Sequence, residues 1–307
     1  MSFTNELQVL CATFGCSVLL EEPLAAHTSF KVGGAADAIV SVNCIASLQA
    51  LLSFLHGKQI PYTILGRGSN VIASDAGYRG VVLLFGADFS EVRQDGTSLL
   101  CDAGASLKSV CRAAQRAGLT GLEFAYGSPG TIGGALYMNA GAYGGEMADV
   151  VQSAEYVDPE GMCSYVLRDE MQLSYRHSNF MGTRNIIVRV RLNLKPDDPA
   201  AIQQRMDETL AKRIAKQPLE YPSAGSTFKR PQGDYASRLV ESCGLKGMSV
   251  GGAQVSTKHS GFVINTGGAT CEEILRLCAQ VQEIVKEKTG FQLELEPVLL
   301  GDCGQTK

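Results

Sequence analysis

Residues 127–145 read GSPGTIGGALYMNAGAYGG and hold seven glycines within nineteen positions. Glycine has no Cβ atom, so its backbone can approach a ligand closely and can take positive φ angles. Successive N–H groups can then point into one concavity, which neutralises a pyrophosphate without a lysine. Close packing of a helix on a sheet also selects small residues, but it does not require this density of glycine. The segment therefore favours phosphate binding of the kind that a dinucleotide needs.

A second glycine motif, GRGSN at residues 66–70, follows a short apolar strand predicted at residues 62–65. A Rossmann fingerprint would have its third glycine where this chain has Val71, and residues 73–77 have the composition of a loop, not of a helix. The standard Rossmann interpretation is therefore excluded. Taken alone, the motif is as consistent with a tight surface turn as with a binding site.

Length and composition describe a globular chain without metal or nucleic-acid signals. The 307 residues suggest about two domains, and 45% of them are apolar, enough to bury a core. The net charge of −4 argues against a nucleic-acid surface spread over the chain. The ten cysteines include no C-x-x-C pair, and the four histidines are too dispersed for a zinc motif. We expect free, buried thiols in a reducing cytoplasm and no metal site.

No secretory or membrane-spanning segment is predicted. Residues 9–20 are fairly apolar, but the first basic side chain is Lys31, so the positive region of a signal peptide is missing. The segment is interpreted as an ordinary buried element. The longest uninterrupted apolar run, residues 81–85, is far shorter than the roughly 20 residues of a membrane span.

The first two-thirds of the chain is predicted to alternate short strands with short helices. Strands are expected at residues 38–42, 62–65, 81–85 and 99–103, and helices at 47–56 and 106–117, each with a serine at its N-cap. The second helix should end at Gly118, which tolerates a left-handed cap. Residues 186–194 form the clearest strand, because apolar and polar side chains alternate strictly from Val188 onward.

The sequence PDDP at residues 196–199 is predicted to be an exposed turn and a domain boundary. Beyond it, helices are expected at residues 200–216, 235–243 and 271–288. The last of these opens with a capping box made by Thr270 and Glu273. A final strand is predicted at residues 291–300.

Basic side chains are concentrated between residues 205 and 230, which contain six basic and three acidic residues. This local positive charge, in a chain of net charge −4, suits a polyanionic small molecule. A solvated helix face explains Arg205, Lys212 and Arg213 equally well. It explains Lys229 and Arg230 less well, because these two adjoin the loop at residues 222–226.

Five motifs in a fixed order resemble the UDP-N-acetylenolpyruvoylglucosamine reductase family of flavoenzymes, also called UDP-N-acetylmuramate dehydrogenases or the MurB family. The motifs are residues 66–71, 128–145, 174–176, 222–231 and 293–301. The resemblance implies an α+β fold of the vanillyl-alcohol-oxidase/PCMH type, with two FAD-binding subdomains and a C-terminal α/β substrate-binding domain. The corresponding ranges are residues 1–75 completed by the tail 289–307, then 76–200, then 201–288.

The resemblance also implies the reaction and its cofactors. NADPH reduces FAD and leaves, and the enolpyruvyl ether of UDP-N-acetylglucosamine is then reduced to UDP-N-acetylmuramate, a peptidoglycan precursor. The ligand is a small molecule, and no nucleic acid, membrane or required protein partner is expected. The residues expected to bind FAD are Gly66, Arg67, Gly68, Ser69, Asn70, Ser128, Pro129, Gly130, Thr131, Gly133, Gly134, Asn139 and Gly141.

Three residues match the catalytic positions of the family. Arg176 would grip the substrate carboxylate, where negative charge develops as hydride is transferred. Glu296, expected to share one face of the last strand with Glu294, would polarise the intermediate. Ser226 would donate a proton to the carbon next to the carboxylate, assisted by the positive charge of Lys229.

The chain departs from the family pattern at two places. It reads Glu296-Pro297-Val298 where the family commonly has Glu-Val-Arg, so that cation is missing, and Pro297 indicates an edge strand. Eleven residues separate Arg176 from Val188, too few for the long loop that places a tyrosine on the substrate diphosphate in one subclass. The chain resembles the short-loop (type II) subclass. Lys216, Lys229 and Arg230 are then expected to bind the diphosphate.

Two other functions remain open at the level of the sequence. A different FAD-dependent sugar or alcohol oxidase of the same fold would keep the glycine motifs, but it would have no reason to keep Arg176, Ser226 and Glu296 together. A non-catalytic UDP-sugar-binding protein would need the basic C-terminal loop, but not the glycines of residues 127–145.

Overall fold

The computed structural model describes residues 3–304, which combine helices with mainly antiparallel strands, as expected of an α+β protein. The helices are α1 (Phe3–Thr13), α2 (Ile45–Gly57), α3 (Leu107–Arg116), α4 (Ile132–Tyr137), α5 (Pro199–Lys216), α6 (Ala236–Ser242) and α7 (Cys271–Thr289). The strands are β1 (Ser17–Pro23), β2 (Ala35–Val42), β3 (Tyr62–Leu65), β4 (Val71–Ala73), β5 (Tyr78–Phe85), β6 (Val92–Asp95), β7 (Ser98–Asp102), β8 (Leu119–Thr120), β9 (Gly141–Ala142), β10 (Gly145–Glu146), β11 (Val151–Val157), β12 (Cys163–Leu167), β13 (Ile186–Asn193), β14 (Lys195–Pro196), β15 (Ser249–Val250), β16 (Ala253–Val255), β17 (Val263–Asn265) and β18 (Val298–Leu300).

The chain forms two compact units. Unit 1 contains residues 3–20, 38–66 and 80–212, and unit 2 contains residues 21–37, 67–79 and 213–304. The chain crosses from unit 1 to unit 2 for the last time inside α5, not at the predicted boundary at residues 196–199. The reason is that Ile202 and Met206, on the first half of α5, are buried in the core of unit 1, while Pro196 pairs with β8. The division into residues 1–75, 76–200 and 201–288 stays a prediction.

Unit 1 contains most of a four-stranded sheet with the order β1-β2-β5-β3. The apolar residues of β2 and β5 are buried together with four leucines of α2 (Leu48, Leu51, Leu52 and Leu55). Strand β3 coincides with its prediction, and β2 and β5 begin three residues earlier than predicted. The helix prediction for α2 is wrong at its start, because Cys44 and not Ser47 is the N-cap. Ser47 lies at the third helical position, where its hydroxyl accepts a hydrogen bond from Cys44 N at 3.2 Å.

Unit 1 also contains a five-stranded sheet with the order β12-β11-β13-β7-β6. The predicted alternation of β13 is confirmed: Val188, Val190 and Leu192 are buried, whereas the arginines between them are partly exposed. The predicted cap of α3 is confirmed as well, since the Ser106 hydroxyl oxygen accepts a hydrogen bond from Ser109 N at 3.0 Å. Helices α3 and α4 pack their apolar side chains against this sheet.

The N-terminal prediction of one buried element at residues 9–20 is wrong. Helix α1 ends at Thr13, and β1 begins at Ser17. Only one side of α1 is buried, through Leu7 and Cys11, which lie four residues apart on the same helical face. The side chain of Val9 points the other way and is 69% exposed. The prediction rested on the apolar composition of residues 9–20, which does not show where a helix ends or which of its faces is buried.

Unit 2 is built around α7 and the three-stranded sheet β15-β16-β17. The predicted capping box of α7 is confirmed: the Thr270 hydroxyl oxygen accepts from Glu273 N at 3.1 Å, and the Glu273 carboxylate accepts from Thr270 N at 3.2 Å. Ile274, Leu277 and Val281 are fully buried on one stripe of the helix, as their spacing predicts.

The last strand is much shorter than the predicted residues 291–300. Only Val298–Leu300 is a strand, and it pairs in parallel with β4, so that Val298 lies opposite Val71. The expected return of the C-terminal strand to a distant part of the chain is therefore seen. Pro297 has no N–H to donate, and the ladder begins just after it. Glu294 and Glu296 precede β18, so the prediction that they share one face of this strand is wrong.

Candidate functional site

The glycine-rich segment at residues 127–145 lies in unit 1, where its first half is bonded to the connection between β7 and α3. The carbonyl of Gly130 accepts a hydrogen bond from Leu107 N at 3.1 Å, and Gly133 N donates to the carbonyl of Ala103 at 3.0 Å. Thr131 caps α4, because its hydroxyl oxygen accepts from Gly134 N at 3.2 Å. Main-chain bonds to neighbouring segments thus hold the shape of this loop.

Two of these glycines have roles inside the protein. Gly133 is buried, and a Cβ atom there would lie 2.7 Å from the Cβ atom of Ala103, so close packing requires glycine. The amides of Gly133 and Gly134 already donate to Ala103 and Thr131. Close packing, the alternative weighed against phosphate binding, therefore explains Gly133. A contact of Gly133 or Gly134 with a cofactor stays a prediction, and it would have to use atoms other than these two amide hydrogens.

The two glycine motifs meet within unit 1. Gly66 follows β3 directly and is exposed, and a Cβ atom there would lie 2.9 Å from the Thr131 hydroxyl oxygen. Pro129, in the loop before Thr131, and Gly134, in the first turn of α4, are exposed. These positions give a patch of accessible backbone with few side chains, beside the largely buried Thr131. Such a patch fits a large cofactor that carries a diphosphate, as FAD does.

The rest of the first motif, from Arg67 onward, lies in unit 2. Gly68 has a φ of +59°, and a Cβ atom there would clash with the carbonyl oxygen of His27 and lie 2.7 Å from the Cα atom of Thr28. Ser29 joins this turn to a second loop, because its hydroxyl group lies 3.2 Å from the carbonyl oxygen of Gly68 and 2.6 Å from that of Ser223. The sequence offered no signal that Ser29 links two of the predicted site motifs.

The predicted proton donor and the predicted catalytic glutamate lie on adjoining segments of unit 2. Ser226 is exposed. The carbonyl oxygen of its neighbour Thr227 accepts a hydrogen bond from Glu296 N at 3.0 Å. One residue further, Phe228 forms an isolated bridge with Leu295. The side chain of Asn70 donates to the carbonyl of Glu296 at 3.3 Å. Residues 67–70, 226–229 and 294–298 therefore come together in one part of the unit.

Thr227 holds the loop of Ser226 in place. Its amide donates to the carbonyl of Gly261 at 2.8 Å, and its hydroxyl oxygen accepts from Val263 N at 2.7 Å. The Thr227 side chain is 2% exposed, so it orders the loop without reaching a ligand. Sequence reasoning missed this role, although the position of Thr227 beside Ser226 was visible in the motif.

Two of the predicted diphosphate-binding cations have protein partners nearby. Lys229 Nζ lies 3.3 Å from an oxygen of Glu294, and both side chains are partly exposed. The guanidinium of Arg230 lies over the ring of Tyr235 at 4.5 Å from its centroid. Glu294 therefore neutralises part of the charge expected to assist Ser226, although the pair is open to solvent and its energy is small.

Lys216, the third predicted cation, is exposed in the last turn of α5. Lys216 also interacts electrostatically with His259. Burial is the main cause that lowers the pKa of His259 from its ordinary value, and the positive charges of Lys246 and Lys216 lower it further. His259 in turn accepts a hydrogen bond on Nδ1 from Gly261 N at 3.1 Å. Since Gly261 also binds Thr227, Lys216 belongs to the same neighbourhood of unit 2 as Ser226.

Arg176 lies in unit 1 on a tight turn. Ser174 and His177 exchange two main-chain hydrogen bonds of 3.2 Å and 3.0 Å, which places Tyr175 and Arg176 at the tip. Arg176 has a φ of +54°, which is uncommon for a residue with a side chain. Both terminal nitrogens of its guanidinium lie 3.4–3.5 Å from the carbonyl oxygen of Gly141, on the glycine-rich segment.

The catalytic residues predicted from the sequence thus divide between the units: Arg176 belongs to unit 1, and Ser226 and Glu296 belong to unit 2. Among residues 3–304, no group of three or more His, Cys, Asp or Glu side chains could hold a metal ion. No helix of this described part is both long and apolar enough to cross a bilayer.

The cysteines described by the structure are free, and most are buried. Burial raises the pKa of Cys101, Cys111 and Cys278 to about 12, so these thiols stay protonated. The prediction of buried thiols is wrong for Cys44 and Cys163, which are exposed. Hydrogen bonds from the first turn of α2, chiefly from the backbone of Ser47, lower the pKa of Cys44.

Two protein families match this chain. The FAD binding domain family matches residues 36–164, and the family described as UDP-N-acetylenolpyruvoylglucosamine reductase, C-terminal domain, matches residues 217–300. The first range includes the patch around Gly66 and Thr131, and the second includes Ser226 and Glu296.

Relatives named UDP-N-acetylenolpyruvoylglucosamine reductase cover nearly the whole chain. The relative from Caldanaerobacter subterraneus subsp. tengcongensis is 46% identical over 283 residues, which are 92% of this chain and 93% of the relative. The relative from Listeria monocytogenes is 43% identical over 286 residues, which are 93% of this chain and 96% of the relative. The crystal structure of the MurB enzyme of Thermus caldophilus superposes with a TM-score of 0.80 at 34% identity, covering 93% of this chain and 98% of that one. These matches confirm the predicted fold class.

Proposed function

Since the chain belongs to the UDP-N-acetylenolpyruvoylglucosamine reductase family, we propose that it reduces the enolpyruvyl ether of UDP-N-acetylglucosamine to UDP-N-acetylmuramate, with NADPH as the reductant. This reaction supplies a precursor of peptidoglycan. The family and the FAD binding domain make the chain an FAD-containing oxidoreductase. The substrate, the reductant and the roles of single residues are the parts that we propose.

FAD would be held in unit 1 by the exposed backbone at Gly66, by residues 128–131 and by Gly141. Residues 67–70 of unit 2 stay predicted FAD contacts. Thr131 can donate its hydroxyl hydrogen to a phosphate oxygen, because the oxygen itself already accepts from Gly134 N. When bound, FAD supplies the hydride that the reaction requires. The protein contributes the orientation of the substrate, the stabilisation of charge and the proton.

Arg176 binds the carboxylate of the enolpyruvyl group in this mechanism. Its guanidinium offers two parallel donors that match the two oxygens of a carboxylate. Negative charge accumulates on this group as hydride adds to the alkene, so a preorganised cation stabilises the transition state more than the ground state. The tight turn between Ser174 and His177 provides that preorganisation.

Ser226 donates the proton that completes the reduction, and Glu296 polarises the substrate next to it. The observation that carries this proposal is the hydrogen bond from Glu296 N to the carbonyl of Thr227, which fixes the two catalytic segments side by side. A positioned proton donor contributes about 10²- to 10⁴-fold to the rate.

Lys216, Lys229 and Arg230 bind the diphosphate of the substrate. All three are partly or fully exposed in unit 2 and carry charge toward solvent, where a soluble polyanion can reach them.

The segment after Arg176 supports the assignment to the short-loop subclass. Ser178 and Phe180 are buried, and β13 begins at Ile186, so there is no long excursion between them.

The test is the visible spectrum of the purified protein under anaerobic conditions. We expect a yellow protein that NADPH bleaches and that the enolpyruvyl substrate restores to yellow. UDP-N-acetylglucosamine without the enolpyruvyl group is the matched control and should restore nothing. A yellow protein that does not respond to NADPH would indicate an oxidase instead. A protein purified without flavin and without NADPH response, yet binding the UDP-sugar, would contradict the proposal in favour of a binding protein.

A further inference from the structure

Asn139 is buried completely although it lies in the glycine-rich segment expected to bind the cofactor. Its relative exposure is 0%, and its φ of +43° lies in the left-handed region that asparagine tolerates better than most residues. The side-chain amide is engaged at both ends: Oδ1 accepts from Ala148 N at 2.9 Å, and Nδ2 donates to the carbonyl of Ser174 at 2.9 Å. Its side chain therefore contacts protein on every side.

The carbonyl that Asn139 binds is the base of the turn that carries Arg176. Ser174 O accepts both from His177 N, at 3.0 Å, and from the Asn139 amide. The turn is so short that Tyr175 and Arg176 are its only two central residues. A displacement of Ser174 must therefore move Arg176 directly.

The same loop contacts the turn at two more points. The hydroxyl of Ser178 donates to the carbonyl of Tyr137 at 2.5 Å. At the other end, the guanidinium of Arg176 lies 3.4–3.5 Å from the carbonyl oxygen of Gly141. Asn139 stands between these two contacts in the sequence, and its bond to Ser174 is shorter than the contacts of the Arg176 guanidinium with Gly141.

We propose that Asn139 is a positioning residue, which fixes the orientation of Arg176 relative to the glycine-rich segment. This inference rests on the proposed role of Arg176 in binding the substrate carboxylate. Only asparagine combines a donor, an acceptor and tolerance of positive φ on one short side chain. Aspartate keeps the acceptor for Ala148 N but loses the donor for Ser174, and it brings a negative charge toward that carbonyl oxygen.

The main test uses Asn139→Asp, with Asn139→Gly as the second variant because glycine keeps the backbone angle. Hydrogen exchange of the peptide that spans residues 172–178 should become faster in both variants. The oxidative half-reaction with the enolpyruvyl substrate should slow by about 10- to 100-fold, as expected for a misplaced binding group. Flavin reduction by NADPH should slow less than the oxidative half-reaction, because Arg176 acts on the enolpyruvyl substrate, and an equal loss in both steps would indicate a defect in FAD binding and overturn the inference.

The control is Asn179→Ala. Asn179 donates to the carbonyl of Glu170 at 2.9 Å, a bond of the same kind in the same segment that does not involve Ser174. This variant should leave both half-reactions unchanged. If it slows the oxidative half-reaction as much as Asn139→Asp does, the effect is general loosening, and the inference is overturned.

The double variant Asn139→Asp/Arg176→Ala separates positioning from an independent effect. If Asn139 acts through Arg176, Asn139→Asp should not slow the oxidative half-reaction further in a protein that already carries Arg176→Ala. Additive losses would overturn the inference, as would unchanged hydrogen exchange at residues 172–178 in Asn139→Asp. Faster exchange together with full activity of Arg176→Ala alone would instead contradict the proposed role of Arg176, and the ordering of the turn by Asn139 would still be supported.

Discussion

The amide of Glu296 donates a hydrogen bond to the carbonyl of Thr227 at 3.0 Å, although the two residues are 69 positions apart in the sequence. Next to it, Lys229 N donates to the carbonyl of Glu294 at 2.9 Å. These bonds resemble the start of a sheet, but they end at Pro297 before a regular ladder forms. They fix the loop of Ser226 to the segment that carries Glu296.

Replacement of Ser226 by alanine should uncouple the two halves of the reaction. NADPH should still bleach the flavin at a normal rate, whereas reoxidation by the enolpyruvyl substrate should slow by about 10²- to 10⁴-fold, because the proton donor is lost. Stopped-flow absorbance measures both steps. Ser223→Ala, in the same loop, retains the main-chain carbonyl that binds Ser29 and should behave like the wild type. Normal turnover of Ser226→Ala would remove this residue from the mechanism.

Lys216 and Lys212 form a matched pair on α5, one turn apart and both exposed. Lys216→Ala should raise the KM for the UDP-linked substrate by about tenfold, which corresponds to about 1.4 kcal/mol of lost binding, with kcat changed little. Lys212→Ala should leave KM near its wild-type value, since a solvated helix face explains Lys212 and it is not among the residues assigned to the diphosphate. Steady-state kinetics at low ionic strength give the comparison. Equal KM values for the two variants would contradict the assignment of Lys216 to the diphosphate.

Gly68 and Gly96 share the same φ of +59° but differ in their surroundings. No atom lies within 4 Å of a Cβ built at Gly96, so Gly96→Ala should cost only the left-handed conformation, about 1 kcal/mol in the free energy of unfolding. Gly68→Ala adds a clash with His27 and Thr28 and should cost about 2–4 kcal/mol in total. Urea denaturation followed by circular dichroism measures both values. A smaller loss at Gly68 than at Gly96 would show that the turn at residues 27–28 yields easily.

The stability of the protein should fall in mild acid because of His259. Burial lowers its pKa in the folded protein, and the charges of Lys246 and Lys216 lower it further, whereas the unfolded chain titrates near its ordinary value of about 6.5. Between those two values the unfolded state binds more protons, so the free energy of unfolding decreases as the pH falls below about 6.5.

His259→Asn removes this titration while keeping an acceptor for Gly261 N, and it should flatten the pH dependence. Thermal unfolding at about pH 7.5 and about pH 5.5 tests the expectation, which follows from the partly buried position of the imidazole. His56→Gln, at an exposed position in α2, is the control and should follow the wild type. If His259→Asn loses as much melting temperature in acid as the wild type, another group is responsible.

Elements with a strong local pattern were predicted well. Strand β3 has the predicted bounds, and α3 and α7 begin where the hydroxyl groups of Ser106 and Thr270 cap them. The alternation in β13 gave its buried side correctly. In each case the signal and the structure involve residues within a few positions of each other, so the sequence pattern is enough.

Predictions failed where a distant partner determines the result. The strand predicted at residues 291–300 forms only from Val298 onward, and before it Leu295 makes only an isolated bridge with Phe228. Residues 9–20 were predicted to be one buried element, but only Cys11 and Cys16 of this range are buried in the core. Because Ile202 and Met206 pack in the core of unit 1, the chain leaves this unit inside α5 and not at residues 196–199.

Local patterns in the chain are sufficient for β3, β13, α3 and α7, and its motifs, together with its relatives, identify a flavin-dependent reductase family. They do not reveal which atoms of a motif remain available to a ligand. Gly133 packs against Ala103, Asn139 binds Ser174 and Ala148, and Thr227 accepts from Glu296. Each of these partners is supplied by the folded chain, from 9 to 69 positions away. Hydrogen-bond donors and acceptors are consumed by whichever groups the packing brings near, so only the three-dimensional arrangement separates residues that can meet the cofactor from residues that hold the loops around it.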